Sequence, residues 1–535
     1  MKVLAGLVVA SVLAIAAAWW WLGKPVDMPA SPLAAGERLY CVSYAPFRDN
    51  QNPLDPSTHV SAEQIDEDLS RLAKVTDCVR TYSIDNGLDQ IPAIARRHGL
   101  KVLQGLWLSS HAEKNELQIA TTVRLAKAYP DVIRAVVVGN EVLLRGELSA
   151  VDLGNIMRRV KAEVPVPITY ADVWEFWLRN RDLATIADFI TIHILPYWED
   201  FPIPARTAAA HVDAIYRKVA AAFPGREILI GEVGWPSAGR MREGALPSPS
   251  NQARVMHEVL AQAKRENRHV NLIEAFDQPW KRRLEGTVGG HWGLLFADSR
   301  APKFTWGQPV SDHPAWAWQA LAGMVLTFGV FAVAWGSANG RGLAKVAPPL
   351  WAGVVANAVV PGILVGWAFE NVPIESLGPG GWLKSLAMAG LAIAAPLLGT
   401  AALLRRIPLP TFAAVLARRA EQPRDRLTIA TGWVLLAVTV LVIQTALGLV
   451  FDPRYKDFPF APLTAAVVPF VALAFLGERS SGRRQTAETM VAVVLALSTL
   501  YVVLNEGFAN WQSLWLCAVQ LVLALSLAGS RDARS

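Results

Sequence analysis

The hydrophobic pattern of the chain changes character twice. Residues 1–22 form one apolar run behind Lys2, closing on Trp19-Trp20-Trp21-Leu22. From about residue 38 to residue 306, short apolar runs alternate with segments of helical period. After Pro314 the apolar runs lengthen to near twenty residues, enough to cross the hydrocarbon core of a bilayer.

In the middle region eight runs read as buried strands: Leu39–Tyr44, Cys78–Ser83, Lys101–Leu108, Arg134–Gly139, Pro165–Tyr170, Phe189–Ile194, Glu227–Glu232 and Asn271–Phe276. Between them lie helical signals. Ser61-Ala62-Glu63-Gln64 is a capping box, and Ala205 to Ala222 is rich in alanine. Eight βα units in about 270 residues have the size and rhythm of a (β/α)8 TIM barrel, an α/β fold whose active site lies at the C-terminal ends of the strands.

Beyond the barrel, seven runs predict an all-α polytopic transmembrane domain: Trp316–Ser337, Pro349–Phe369, Trp382–Leu404, Leu427–Val450, Phe460–Leu476, Met490–Leu504 and Leu514–Leu527. Basic residues gather in alternate loops. They are Arg341 and Lys345; Arg405, Arg406, Arg418, Arg419, Arg424 and Arg426; Arg479, Arg483 and Arg484; and Arg531 and Arg534. Loops of the other parity carry Glu370 and Glu375, the mixed set Asp452, Arg454, Lys456 and Asp457, and Glu506. The positive-inside rule makes the basic loops cytoplasmic and leaves Lys2 cytoplasmic, the barrel outside and the C-terminus inside. The expected organisation is an N-terminal transmembrane anchor or signal sequence over 1–22, with the uncleaved anchor favoured because three tryptophans sit at its outer edge. A linker over 23–37, a barrel domain over 38–310, a transmembrane domain over 316–528 and a tail over 529–535 follow.

Composition adjusts this picture only slightly. The 535 residues are 53% hydrophobic, and the net charge of +6 resides largely in the short loops between apolar runs, so it does not call for nucleic acid. The three cysteines, Cys41, Cys78 and Cys517, lack metal-type spacing. Cys41 and Cys78 fall on neighbouring strands, where a disulfide is conceivable in an oxidising compartment. Two buried thiols are the expected state.

The candidate chemistry lies where two strands end. Ala135-Val136-Val137-Val138-Gly139-Asn140 delivers Glu141, and Ile228-Leu229-Ile230-Gly231 delivers Glu232 ahead of Val233-Gly234-Trp235-Pro236. A pair of glutamates at the mouths of parallel strands suits glycoside hydrolysis with retention, in which one protonates the leaving oxygen and the other attacks the anomeric carbon. Glu141 would then need a raised pKa to hold its proton near neutrality. His193 on the sixth strand lines the same region, although a lone histidine is more often structural.

With Arg80-x-Tyr82, Gly139-Asn140-Glu141, Gly231-Glu232-Val233-Gly234-Trp235-Pro236, and Phe276-Asp277 leading to Trp292-Gly293-Leu294, residues 38 to 306 resemble glycoside hydrolase family 17. This is a family of β-1,3-glucanases and glucanosyltransferases. The resemblance implies Glu141 as acid/base and Glu232 as nucleophile, with no cofactor and no metal. It also implies substrate-site roles for Asn140, Tyr197, Asp277 and Lys281; Tyr44, Arg80, Tyr82 and Asp172 are further candidates because they lie at strand ends, and Trp174, Trp235 and Trp280 because aromatic faces stack on sugar rings. Plant members read Asp-Glu-Asn-x-Lys after strand eight, whereas this chain reads Asp277-Gln278-Pro279-Trp280-Lys281; Glu285 is a further candidate match.

A family 17 barrel on a membrane domain is similar to the bacterial type linked to β-(1,3),(1,6)-glucan synthesis. The partners implied are a β-glucan, the lipid bilayer and a glucan synthase. The place implied is the bacterial inner membrane, with the barrel facing the periplasm. The alternatives are a nucleotide-sugar-dependent glucan synthase subunit and a glucan-binding receptor or transporter. The first is weakened because the one Asp-x-Asp triplet, Asp66-Glu67-Asp68, falls on a barrel helix; the second is weakened by the scarcity of ionisable residues in the apolar runs.

Overall fold

The computed structural model describes residues 2–339, 346–416, 425–478 and 485–529. Two compact units emerge. One comprises Val26–Gly239 and Gly244–Val310; the other comprises Met1–Pro25, Arg240–Glu243 and Ser311–Ser535.

In the first unit eight parallel strands close into a barrel in sequence order: β1 (Cys41–Ser43), β2 (Cys78–Arg80), β3 (Lys101–Leu106), β4 (Ile133–Asn140), β5 (Ile168–Val173), β6 (Ile190–His193), β7 (Ile228–Val233) and β8 (His269–Leu272). Helices fill the crossovers. Ser61, Ser149 and Ser248 cap three of them, each accepting from a backbone N–H three residues on. Strand β5 lies later than the expected Pro165–Tyr170. Pro165 and Pro167 have no N–H to donate to a ladder, so pairing starts beyond them.

Alternate strand residues divide into two layers. Cys41, Cys78, Leu103, Ala135, Val137, Ala171 and Leu229 pack together inside the barrel. Their neighbours Val42, Val79, Val102, Val136, Tyr170, Ile228 and Ile230 belong to the larger core under the helices. Cys41 and Cys78, expected as thiols, are joined in a disulfide. Val42 pairs with Val79, which places the two preceding residues side by side on the interior face.

The ladders slip near their C-terminal ends. Between β4 and β5 the register shifts between Val137 and Asn140; between β6 and β7, Ile192 faces Ile230 while His193 faces Glu232. Each slip is a β-bulge, which re-aims the residues after it.

In the second unit seven described helices are long and apolar enough to cross a membrane: Lys2–Leu22, Trp316–Ala338, Pro348–Glu375, Gly378–Leu404, Arg426–Phe451, Thr486–Glu506 and Trp511–Ala528. Phe460–Leu476 is apolar but shorter, and a five-residue helix, Phe412–Leu416, was not expected. Ile15 and Trp19 of the first helix are fully buried, and the Trp19 indole donates to the Ile363 carbonyl at 3.2 Å. The helix from Thr486 begins before the expected run, so Glu488 lies inside it, buried and accepting from the Phe412 N–H at 2.6 Å. Of the basic loop residues, Arg405, Arg406 and Arg426 are described; Arg341, Lys345, Arg418, Arg419, Arg424, Arg479, Arg483, Arg484, Arg531 and Arg534 lie outside the described residues.

Candidate active site

Glu232 is the penultimate residue of β7, and in an unbroken strand it would share the outward face of Ile228 and Ile230. The bulge opposite His193 turns it to the barrel mouth. Gly231, the residue passed over, has no room for a side chain: a Cβ there would stand 2.3 Å from Thr191 Cγ2. The Gly231 carbonyl instead accepts from Arg80 Nη1 at 2.6 Å and from Asn271 Nδ2 at 2.7 Å. At the end of β4, Gly139 and Glu141 both take positive φ, 85° and 52°, and the turn presents Asn140 and Glu141 together.

Arg80, fully buried, organises the site. Its Nη1 donates to Glu232 Oε1 at 3.1 Å and its Nη2 to Asn140 Oδ1 at 2.6 Å. The Tyr82 hydroxyl lies 2.8 Å from the same Glu232 oxygen and 2.8 Å from Ser43 Oγ. His193 bridges the two glutamates: Nδ1 is 2.7 Å from Glu141 Oε1, and Nε2 is 3.6 Å from Glu232 Oε1. Arg145 braces the turn by donating to the Asn140 and Leu108 carbonyls, with its guanidinium 4.1 Å over the Trp107 ring.

The electrostatics of Glu141 differ from the expected raised pKa. Burial pushes the carboxyl up, but the hydrogen bond and charge of His193, helped by Arg80 and Arg145, overcome it and hold the group below the usual glutamate range. Nearby, burial lifts the Glu274 carboxyl to about 7 against the opposing charge of Lys281, whose Nζ lies 2.8 and 3.0 Å from its two oxygens. Glu274 follows Asn271-Leu272-Ile273 and escaped the sequence reading because the motif begins two residues later.

The candidate site residues separate by depth. Glu141, Glu232, Asn140, Arg80 and Tyr82 converge at one point. Trp280 and Lys281 are partly open beside Glu274. The others are engaged by neighbours away from that point. Tyr44 and Asp172 have outward strand parity: the Tyr44 hydroxyl lies 3.3 Å from Asp68, and Asp172 is bound by the Tyr170 hydroxyl. Tyr197 and Trp235 are fully buried against each other and Trp292. Asp277 is held by Lys303 at 2.6 Å, and Trp174 is mostly buried with Lys218 over its ring. These six shape the walls.

Glu141, His193 and Glu232 bring one ligand atom each to within 4.8 Å of one another, a spacing that also suits a metal ion. The Arg80 guanidinium lies against two of the three, so an entering cation would meet like charge.

The closed parallel barrel carries paired carboxylates at the ends of β4 and β7, an arrangement that suits glycoside hydrolysis. The family described as BtgE/BtgC glycoside hydrolase domain matches residues 41–293. The chain is 24% identical over 266 residues to a glucan 1,3-beta-glucosidase of Candida albicans, covering 46% of this chain and 86% of the relative. It is 28% identical over 247 residues to one from Schizosaccharomyces pombe, covering 43% and 77%. The glycoside hydrolase family 17 beta-1,3-glucanosyltransferase of Rhizomucor miehei aligns with a TM-score of 0.45 at 24% identity, over 50% of this chain and 97% of that one. The resemblance of the barrel to family 17 is borne out.

Proposed function

We propose that the protein is a membrane-anchored, retaining enzyme of β-1,3-glucans that transfers glucanosyl units. The observation that carries the reading is the approach of a Glu141 oxygen and a Glu232 oxygen to within 4.8 Å. Retaining glycosidases hold their carboxyl groups about 5–5.5 Å apart, whereas inverting enzymes leave room for a water. The β-1,3-glucan assignment is supported by the named activities of the curated relatives.

In the first step Glu141 gives its proton to the glycosidic oxygen while Glu232 attacks C1; the C1–oxygen bond breaks and a glycosyl ester forms. In the second, a sugar hydroxyl bonds to C1 as Glu232 leaves, and its proton returns to Glu141. Water in place of that hydroxyl gives hydrolysis. Asn140, fixed by Arg80, is placed to hydrogen-bond the sugar 2-hydroxyl, and Arg80 and Tyr82 hold the Glu232 carboxylate in its attacking orientation.

Membrane anchoring is supported by the seven apolar helices, and an uncleaved first helix by the burial of Ile15 and Trp19 among them. A barrel facing an oxidising, extracytoplasmic compartment is supported by the Cys41–Cys78 disulfide and by the charge bias of the loops. Such an enzyme would remodel a glucan supplied by a separate synthase. The test incubates the detergent-solubilised full chain with laminari-oligosaccharides beside Glu232→Ala. Products longer than the substrate, absent with the variant, are expected. Only shorter products would make the enzyme a hydrolase, and no glucan turnover would sink the substrate assignment.

A further inference from the structure

His193 is a buried, titratable group that the two-carboxylate scheme does not use. Its side chain is fully buried, and each ring nitrogen has a fixed neighbour. Nε2 lies 3.2 Å from Arg80 Nη1, and a guanidinium can only donate. A hydrogen on Nε2 would face this hydrogen-bearing nitrogen, which favours the tautomer with the ring proton on Nδ1, whose N–H then donates to Glu141 Oε1 at 2.7 Å. That bond occupies one oxygen of Glu141 and leaves the other, Oε2, to carry the working proton. The charged groups around the ring are Arg80 on β2, Glu141 after β4, Asp172 on β5 and Glu232 on β7.

We propose that His193 is a positioning residue for Glu141, fixing both the oxygen presented to the scissile bond and the protonation state the carboxyl holds. The inference rests on Glu141 being the acid/base. An imidazole N–H aimed at Oε1 stabilises the carboxylate, so the acid form is lost at lower pH than for an unassisted glutamate. The direction found for Glu141 agrees. The bulge sets His193 opposite Glu232, and the ring's contacts with Arg80 and Glu141 place one imidazole between the acid/base and the nucleophile.

The test measures kcat/KM against pH for the full chain in detergent, using two donors. A laminari-oligosaccharide needs a proton on its leaving group; a dinitrophenyl β-laminarioside does not. In His193→Phe the basic limb should rise by about one pH unit, and kcat/KM for the oligosaccharide should fall about 10- to 100-fold. The dinitrophenyl donor should change by less than about threefold, because its departure needs no general acid. His193→Asn, whose amide reproduces the Nδ1 donor, should keep the wild-type limb. A basic limb unmoved in His193→Phe, or equal losses on both donors, would overturn the proposal in favour of a packing role. If the wild-type protein turns over neither donor, the substrate assignment fails separately. The imidazole 15N spectrum, assigned by difference against His193→Phe, then decides: a protonated Nδ1 with a bare Nε2 supports the proposal, and the reverse tautomer overturns it.

Discussion

Replacing Arg80 by lysine separates the charge of this side chain from its shape. The guanidinium serves Gly231, Glu232 and Asn140 at once, at 2.6, 3.1 and 2.6 Å, from a fully buried position. A lysine ammonium is a single point charge on a flexible stem; it can stay with Glu232 but cannot also reach Asn140. Arg80→Lys therefore leaves Asn140 Oδ1 buried without its donor, a loss of about 1–3 kcal/mol. In the proposed mechanism Asn140 adjoins the acid/base and binds the sugar, so much of this loss should appear in the transition state. At about 2 kcal/mol, kcat/KM on laminari-oligosaccharides falls roughly 30-fold. Arg80→Met is the harsher control, since it strands Glu232 in a site only 4% exposed. Removing one partner of a buried ion pair costs about 3–5 kcal/mol, so the methionine variant should show a large drop in Tm. Initial rates and thermal unfolding of the full chain in detergent test both. An Arg80→Lys enzyme within threefold of wild-type kcat/KM would refute the argument that shape, beyond charge, organises the site.

Three further outcomes are expected. Burial raises Asp172 from 3.8 to about 6, so the folded state binds that proton more tightly than the unfolded chain. The stability it contributes is full below about pH 4 and is lost as pH rises through about 6; Asp172→Asn should lack this slope in Tm against pH, and identical slopes would contradict the assignment. Trp235→Ala should cost about 3–5 kcal/mol of stability, because its ring is fully buried, whereas Trp280→Ala should spare Tm and raise KM several-fold; the reverse pattern would exchange their roles. Thiol titration of the denatured protein should find Cys517 alone before reduction and all three cysteines after it.

The barrel was legible because its strands are short, apolar and regularly spaced, a pattern that survives without any knowledge of packing. The strand ends that carry Glu141 and Glu232 were legible because a short apolar run and then a glycine precede each. What the sequence hid was direction. Tyr44 and Asp172 sit at strand ends like true site residues, yet their parity turns them to the outer layer, where their partners are Asp68 and Tyr170. Trp235 belongs to the most distinctive motif and still faces the core. His193 was legible as a residue lining the same region, but not as the neighbour of both glutamates, since that depends on a register slip between β6 and β7 that no local pattern announces. The raised pKa expected for Glu141 failed for the same reason: the neighbour that opposes burial lies 52 residues away.

The slip at Gly231 also sets a limit on redesign. An engineer seeking a more stable barrel would straighten its strands and complete their ladders, the usual route to idealised backbones. Applied to β7, that regularity would return Glu232 to the face of Ile228 and Ile230, burying a carboxylate under the helices and withdrawing the carbonyl that anchors Arg80. The imperfection is thus the part of the scaffold that stabilising mutations must leave alone, and a thermostable variant of this protein is best sought in its helices and loops.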